Sequence, residues 1–131
     1  MERILGRFTP QIYALMRIVV GLLFACHGAQ KIFGMFGGTR VDYGSMMGLA
    51  GFIELIAGLL VAVGFVTGYA AILASGEMAA AYYMAHLPKG GMPILNGGEL
   101  AVLYCFAFFY IAARGGGAWS VDGMSGGGRR K

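Results

Sequence analysis

The chemistry this sequence offers is concentrated in one apolar stretch, RIVVGLLFACHGAQK at residues 17–31, which holds Arg17, His27, Gln30 and Lys31. At ~100° per helical residue, Arg17, His27 and Lys31 fall within about a third of a turn, with Gly21, Phe24 and Gly28 along the same stripe. His27, Gln30 and Lys31 stand at i, i+3 and i+4, so their heads meet on one face. Such a set can hydrogen-bond the oxygens of a small lipophilic ligand, and an acid beside it, Glu54 or Glu99, can exchange protons. A purely structural reading has His27 and Gln30 satisfying backbone groups while Lys31 snorkels to the surface. Ionisable groups at the centre of a membrane helix cost roughly 2.5–3.5 kcal/mol each, so they mark a ligand path or a paired structural site.

Hydrocarbon is the solvent to consider because 58% of the 131 residues are hydrophobic and only 12% are charged, against about 25% charged in soluble domains. The expected fold is all-α, an integral membrane four-helix bundle in a single domain over residues 1–131. A span needs about 20 residues, so four spans and short loops consume the chain. The net charge of +4 is scattered singly until the last three residues, which points to lipid contact and topology rather than nucleic acid. Cys26 and Cys105 lie in apolar segments without CxxC spacing, which argues against a disulfide framework and against a metal site. The N-terminal run lacks a small-residue cleavage site, so the first helix is expected to be retained.

The helices that must position these groups are bounded by ordinary signals. Pro10 opens a span at about 11–33, and the glycine-rich segment 34–44 is a loop. A second span at about 46–66 carries Glu54 between Gly51 and Gly58, where another backbone can approach closely. The third, about 69–87, holds Glu77 and ends at His86, and Pro88 and Pro93 break the helix. The fourth, about 96–113, opens with Glu99. Residues 114–131 read as an interfacial segment, with Trp119, Ser120 and Asp122 capping one face, followed by a flexible tail. Arg3, Arg7, Arg114, Arg129, Arg130 and Lys131 outnumber Arg40 and Lys89, which puts both termini in the cytoplasm.

With that topology, a rise of ~1.5 Å per residue places His27, His86 and Glu99 about 22–25 Å above the cytoplasmic ends. Lys31 lies a turn higher and Glu54 a turn lower. Arg17 and Glu77 come out together near 9–12 Å, roughly level, and are expected to form an ion pair. The remaining groups converge on one outward-facing pocket.

The order R…GLLF…HGAQKIFG, then GFIELIAGLLVAVGFVTG, then an acid-bearing helix ending in His86, resembles the DoxX family. NGGELAVLYCFAFFY followed by GGGAWSVDG is similar to that family's GGE…LY helix and its closing motif, with glycine here in place of a proline. The resemblance covers about residues 12–123. It implies a small four-helix protein of the bacterial inner membrane, multi-pass, in a family named after a subunit associated with quinone-linked sulfur oxidation. Arg17, His27, Gln30, Lys31, Glu54, Glu77 and Glu99 are its family-like polar positions.

The function expected is that of a quinone-linked oxidoreductase subunit. A quinone or similar carrier is held by His27, Gln30, Lys31, Glu54, His86 and Glu99, with His27, Lys31, Glu54 and Glu99 as the catalytic candidates. Electrons must come from protein partners in a membrane complex or oligomer, because the chain has no flavin, haem c or iron–sulfur motif. Axial haem ligation by His27 and His86 is disfavoured for want of other ligands. The rival expectation is a non-enzymatic accessory or assembly subunit whose polar face is buried protein contact. A transporter ranks last, because between Glu77 and the cytoplasm only Arg17 is polar.

Overall fold

The computed structural model describes residues 1–125, and every regular element among them is helical. Four helices are long: α1 (Thr9–Phe33), α2 (Met46–Val63), α3 (Thr67–Ala81) and α4 (Glu99–Arg114). Two helical turns, Glu2–Leu5 and Gly6–Phe8, lead into α1. Pro10 sits in the first turn of α1, where its missing N–H costs nothing. Gly34 and Gly64 end α1 and α2 in the left-handed conformation, at φ 70° and 75°, and their N–H groups close the last turns. Gly64 therefore stops α2 three residues before the end of the expected second span. Ser45 opens α2 by accepting a hydrogen bond from the Gly48 amide at 3.1 Å.

The helix after α3 is not regular. Its α-helical part ends at Ala81 and widens into a π-turn over Tyr82–His86, followed by a 3₁₀ turn at Leu87–Lys89. A separate turn, Pro93–Asn96, precedes α4, which starts at Glu99 rather than at Asn96. Buried Asn96 joins these pieces: its side-chain amide donates to the Tyr82 hydroxyl at 3.0 Å and to the Gly90 carbonyl at 2.7 Å, while its side-chain oxygen accepts from the Gly98 amide at 2.9 Å.

α1 packs on α2, α2 on α3 and α3 on α4, whereas α1 and α4 barely touch. The α1–α2 contact is backbone on backbone. A Cβ on Gly21 would lie 2.7 Å from the Gly58 carbonyl oxygen, and one on Gly58 would lie 2.6 Å from the Ala25 nitrogen. Gly28 meets the Leu55 backbone in the same way. Between the helices lies a core of Phe24, Phe108, Tyr104, Val61, Ile111 and small alanines, with the Phe24 and Phe108 rings 4.7 Å apart. Large apolar side chains face outward instead, among them Leu15, Leu23, Leu49, Ile56, Leu73, Leu103 and Phe106. Soluble proteins rarely expose so continuous an apolar surface. The helical run Glu2–Phe33 and the helix Met46–Val63 are each long and apolar enough to cross a membrane.

At the end of the molecule that holds the N-terminus, residues 115–125 are fixed rather than loose. Ser120 is buried, and Asp122 accepts from the Val66 amide at 3.0 Å, the Thr67 amide at 2.9 Å and the Thr67 hydroxyl at 2.7 Å. α3 has no N-cap side chain of its own, so Asp122 serves as one from a distant part of the chain. It also holds Val66 at φ 43°, a left-handed conformation that β-branched residues avoid. Burial pushes the Asp122 carboxyl up, but the Thr67 and Val66 hydrogen bonds, with the Arg17 charge behind them, outweigh it and hold it below the ordinary range. The flexible tail expected at the C-terminus, with Arg129, Arg130 and Lys131, lies outside the described residues.

Two outcomes follow for stability in detergent. Because the folded Asp122 carboxyl lies below its unfolded value, its contribution is complete above the unfolded carboxylate range, near pH ~4. It is lost as pH falls through the folded value. Asp122→Asn should lower thermal stability at neutral pH by about 1 kcal/mol and flatten the loss on acidification, as read by circular dichroism melts from pH 7 to pH 3. Gly58→Val should cost at least ~3 kcal/mol, because the new methyls meet backbone that cannot move aside. Gel filtration of detergent extracts should then show aggregate in place of a folded peak.

Candidate functional site

At the opposite end, where the α1–α2 loop and the π-turn lie, the helices part around a chamber of about 320 Å³. Its polar lining comes from every long helix: His27 and Lys31 of α1, Glu54 of α2, Glu77 of α3, His86 of the π-turn and Tyr104 of α4. Phe24, Met78, Leu100 and alanines supply apolar walls. This volume falls in the range of small-ligand sites.

Lys31 Nζ donates to Glu54 Oε1 at 2.6 Å, the single salt bridge among the described residues. The Glu54 side chain is 3% exposed and that of Lys31 20%, so the pair is largely withdrawn from solvent. Lys31 therefore reaches inward instead of snorkelling. The glycine contacts explain why: Gly51 abuts the Lys31 and Ile32 side chains, which brings α2 close enough for Glu54 to face α1. Glu77 neighbours Glu54, close enough for the two carboxyls to share a proton, and Lys31 lies within Coulombic reach of both. Glu77 Oε1 is buried without a partner.

The imidazoles are held differently. His27 stands edge-on to Tyr104, ring centroids 5.8 Å apart. His86 Nδ1 lies 3.2 Å from the Asn96 carbonyl oxygen. A carbonyl only accepts, so Nδ1 carries the hydrogen, and Nε2 of the neutral ring is left as an acceptor.

Four of the sequence candidates, His27, Lys31, Glu54 and His86, thus line one chamber, and two do not. Gln30 turns to the loop, donating to the Phe36 carbonyl at 3.2 Å, because Gly38 packs against its side chain. Glu99 is exposed in the first turn of α4, where an acid complements the helix dipole, and it is absent from the lining.

The expected Arg17–Glu77 ion pair is absent. Arg17 is wholly buried and donates to four carbonyls, those of Val61 (2.8 Å), Ala62 (2.6 Å), Ala118 (3.0 Å) and Trp119 (2.8 Å). The cation satisfies the free carbonyls at the end of α2 and ties them to the C-terminal segment. Glu77 is ~15 Å along α3 from Thr67, level with the chamber and beyond the guanidinium. Tyr104 and Asn96 escaped the sequence reading, although both stand in the segment NGGELAVLY, whose polar residues the resemblance had flagged only at Glu99.

The fold and the chamber define a small, all-helical protein of membrane type with an internal polar site. The DoxX family model matches residues 12–87. A Haemophilus influenzae protein described only as an uncharacterized protein is 39% identical over 125 residues, covering 90% of this chain and 93% of that one. No solved structure matches the chain. The chain belongs to the DoxX family, whose members are membrane-associated.

Lys31→Met should destabilise the detergent-solubilised protein by about 3 kcal/mol, since it leaves the Glu54 carboxylate buried without its partner. Adding Glu54→Leu to that variant should recover most of the loss, which a double-mutant cycle of thermal melts would reveal.

Proposed function

We propose that the protein is a four-helix, multi-pass subunit of the bacterial inner membrane, both termini cytoplasmic, that binds a quinone or similar lipophilic carrier for a quinone-linked oxidoreductase. The observation that carries this reading is the chamber itself: bases and acids from three long helices and the π-turn, with the Tyr104 hydroxyl of α4, meet in one space walled by apolar side chains, at the end opposite the N-terminus. The apolar outer surface supports burial of all four long helices in lipid. Arg3, Arg7 and Arg114 at the terminal end support its cytoplasmic placement.

The residues fit a ring bearing two oxygens. Lys31 and Tyr104 would donate to such oxygens, His27 and His86 would accept or donate, and Phe24, Met78 and Leu100 would flank the ring. A quinone supplies two-electron chemistry coupled to proton transfer when bound. Glu54 and Glu77 would hold a proton between them beside that ring, with Lys31 fixing Glu54 in place. The electron source is a partner protein of the same complex.

A second reading, an accessory or assembly subunit without turnover, is favoured by the apolar groove between α3 and α4, lined by Gly68, Tyr69, Ile72, Phe109, Ala112 and Ala113. Small residues there leave room for a neighbouring helix.

Chromatography of organic extracts of the detergent-purified protein separates the two. Co-extracted quinone is expected in the wild type and should fall about ten-fold in His27→Ala and Glu54→Gln, the loss of one or two ligand hydrogen bonds. A folded protein that carries no quinone and always elutes with one large complex would instead establish the accessory role.

A further inference from the structure

His86 reaches the chamber against the period of its helix. It follows Glu77 by nine residues, and at ~100° per residue an unbroken α-helix would set the two on opposite faces, about half a turn apart. Both nevertheless line the chamber. The π-turn reconciles them: the Leu87 amide bonds back five residues to the Tyr82 carbonyl. Such a turn takes up one extra residue and swings His86 back by ~100°. Runs of this kind are rare and short, so contacts from outside the helix must hold this one.

Asn96 supplies them. Its amide donates at 3.0 Å to the hydroxyl of Tyr82, the first residue of the turn, and its main-chain carbonyl lies 3.2 Å from Nδ1 of His86, the last. The side chain is itself fixed from two further sides, donating to the Gly90 carbonyl at 2.7 Å and accepting from the Gly98 amide at 2.9 Å. Gly98 lets the start of α4 come this near, since a Cβ there would stand 2.6 Å from the Tyr82 ring and 2.8 Å from the His86 Cβ.

We infer that Asn96 is a positioning residue of the chamber, clamping both ends of the π-turn so that His86 faces the ligand with Nε2 free and its Nδ1–H held on the Asn96 carbonyl. What His86 does there rests on the ligand reading above; how it is held does not. Every residue owns a carbonyl, so the contribution particular to asparagine is the three side-chain bonds that keep this one in place. Without them the turn relaxes to a regular helix and His86 leaves the chamber.

Two measurements on the full chain in detergent separate positioning from plain stability. Long-range proton–nitrogen NMR at pH ~8, where imidazole is neutral, should show His86 as the Nδ1–H tautomer, its signals assigned by their absence in His86→Ala. In Asn96→Leu and in the milder Tyr82→Phe that signature should give way to mixed tautomers, while the amide signals of α1 and α2 stay in place. Co-extracted quinone should fall about ten-fold both in His86→Ala and in Asn96→Leu, the loss of one ligand hydrogen bond, with no further fall in the double variant. An Nδ1–H signature that persists in both folded variants overturns the inference, as does a wild type in the Nε2–H form or losses that multiply in the double variant. Should Asn96→Leu not fold, Tyr82→Phe, which removes one bond of the clamp and no core volume, decides alone. If the wild type carries no quinone, the ring-binding reading falls and the tautomer signature by itself decides the role of Asn96.

Discussion

The contact on which the rest of the structure depends is the meeting of two backbones, where Gly21 and Gly28 of α1 cross Gly58 and Gly51 of α2. Without side chains between them the helices come close enough for a short lysine-to-carboxylate contact. The same closeness leaves the polar face of α1 no outlet to lipid. In hydrocarbon there is no hydrophobic force to draw helices together, so close van der Waals approach by small residues supplies it. The chamber exists because this approach is not repeated between α1 and α4, which barely touch.

Polar groups divide between the two ends of the molecule according to what satisfies them. At the terminal end Arg17 and Asp122 bind backbone, the cation on carbonyls at the close of α2 and the anion on amides at the opening of α3. Each charge there complements a helix terminus, so the site is structural, although Arg17 Nε is buried without a partner. At the loop end, side chains meet side chains, and one carboxyl oxygen, Glu77 Oε1, is buried without a partner.

Much of this was legible in the sequence. The four long helices follow from apolar runs bounded by Pro10, Gly34, Pro88 and Pro93, although Gly64 ends α2 three residues before the expected boundary, and the close approach around Glu54 follows from Gly51 and Gly58. Family membership was readable from short motifs in fixed order. Heights along helices placed His27, His86 and Lys31 near one another, but height says nothing of azimuth, so Glu99 and Gln30 were credited with facing inward. The partners of Arg17 could not be read at all, since every residue owns a carbonyl and only the fold decides which remain free. The π-turn has no compositional signature either, although it carries His86 to the chamber.

Asp122 also bears on how the molecule is made. The amide it caps at Thr67 precedes it by 55 residues, so the start of α3 leaves the ribosome with those donors unmet. The Arg17 guanidinium waits longer for the Ala118 and Trp119 carbonyls, which follow it by 101 and 102 residues. Helix insertion and closure of the terminal end are thereby separated in time, since that end locks only when residues 118–122 have been synthesised and fold back. The WSVDG sequence is in that sense a clasp that closes over α2 and α3 after both have formed.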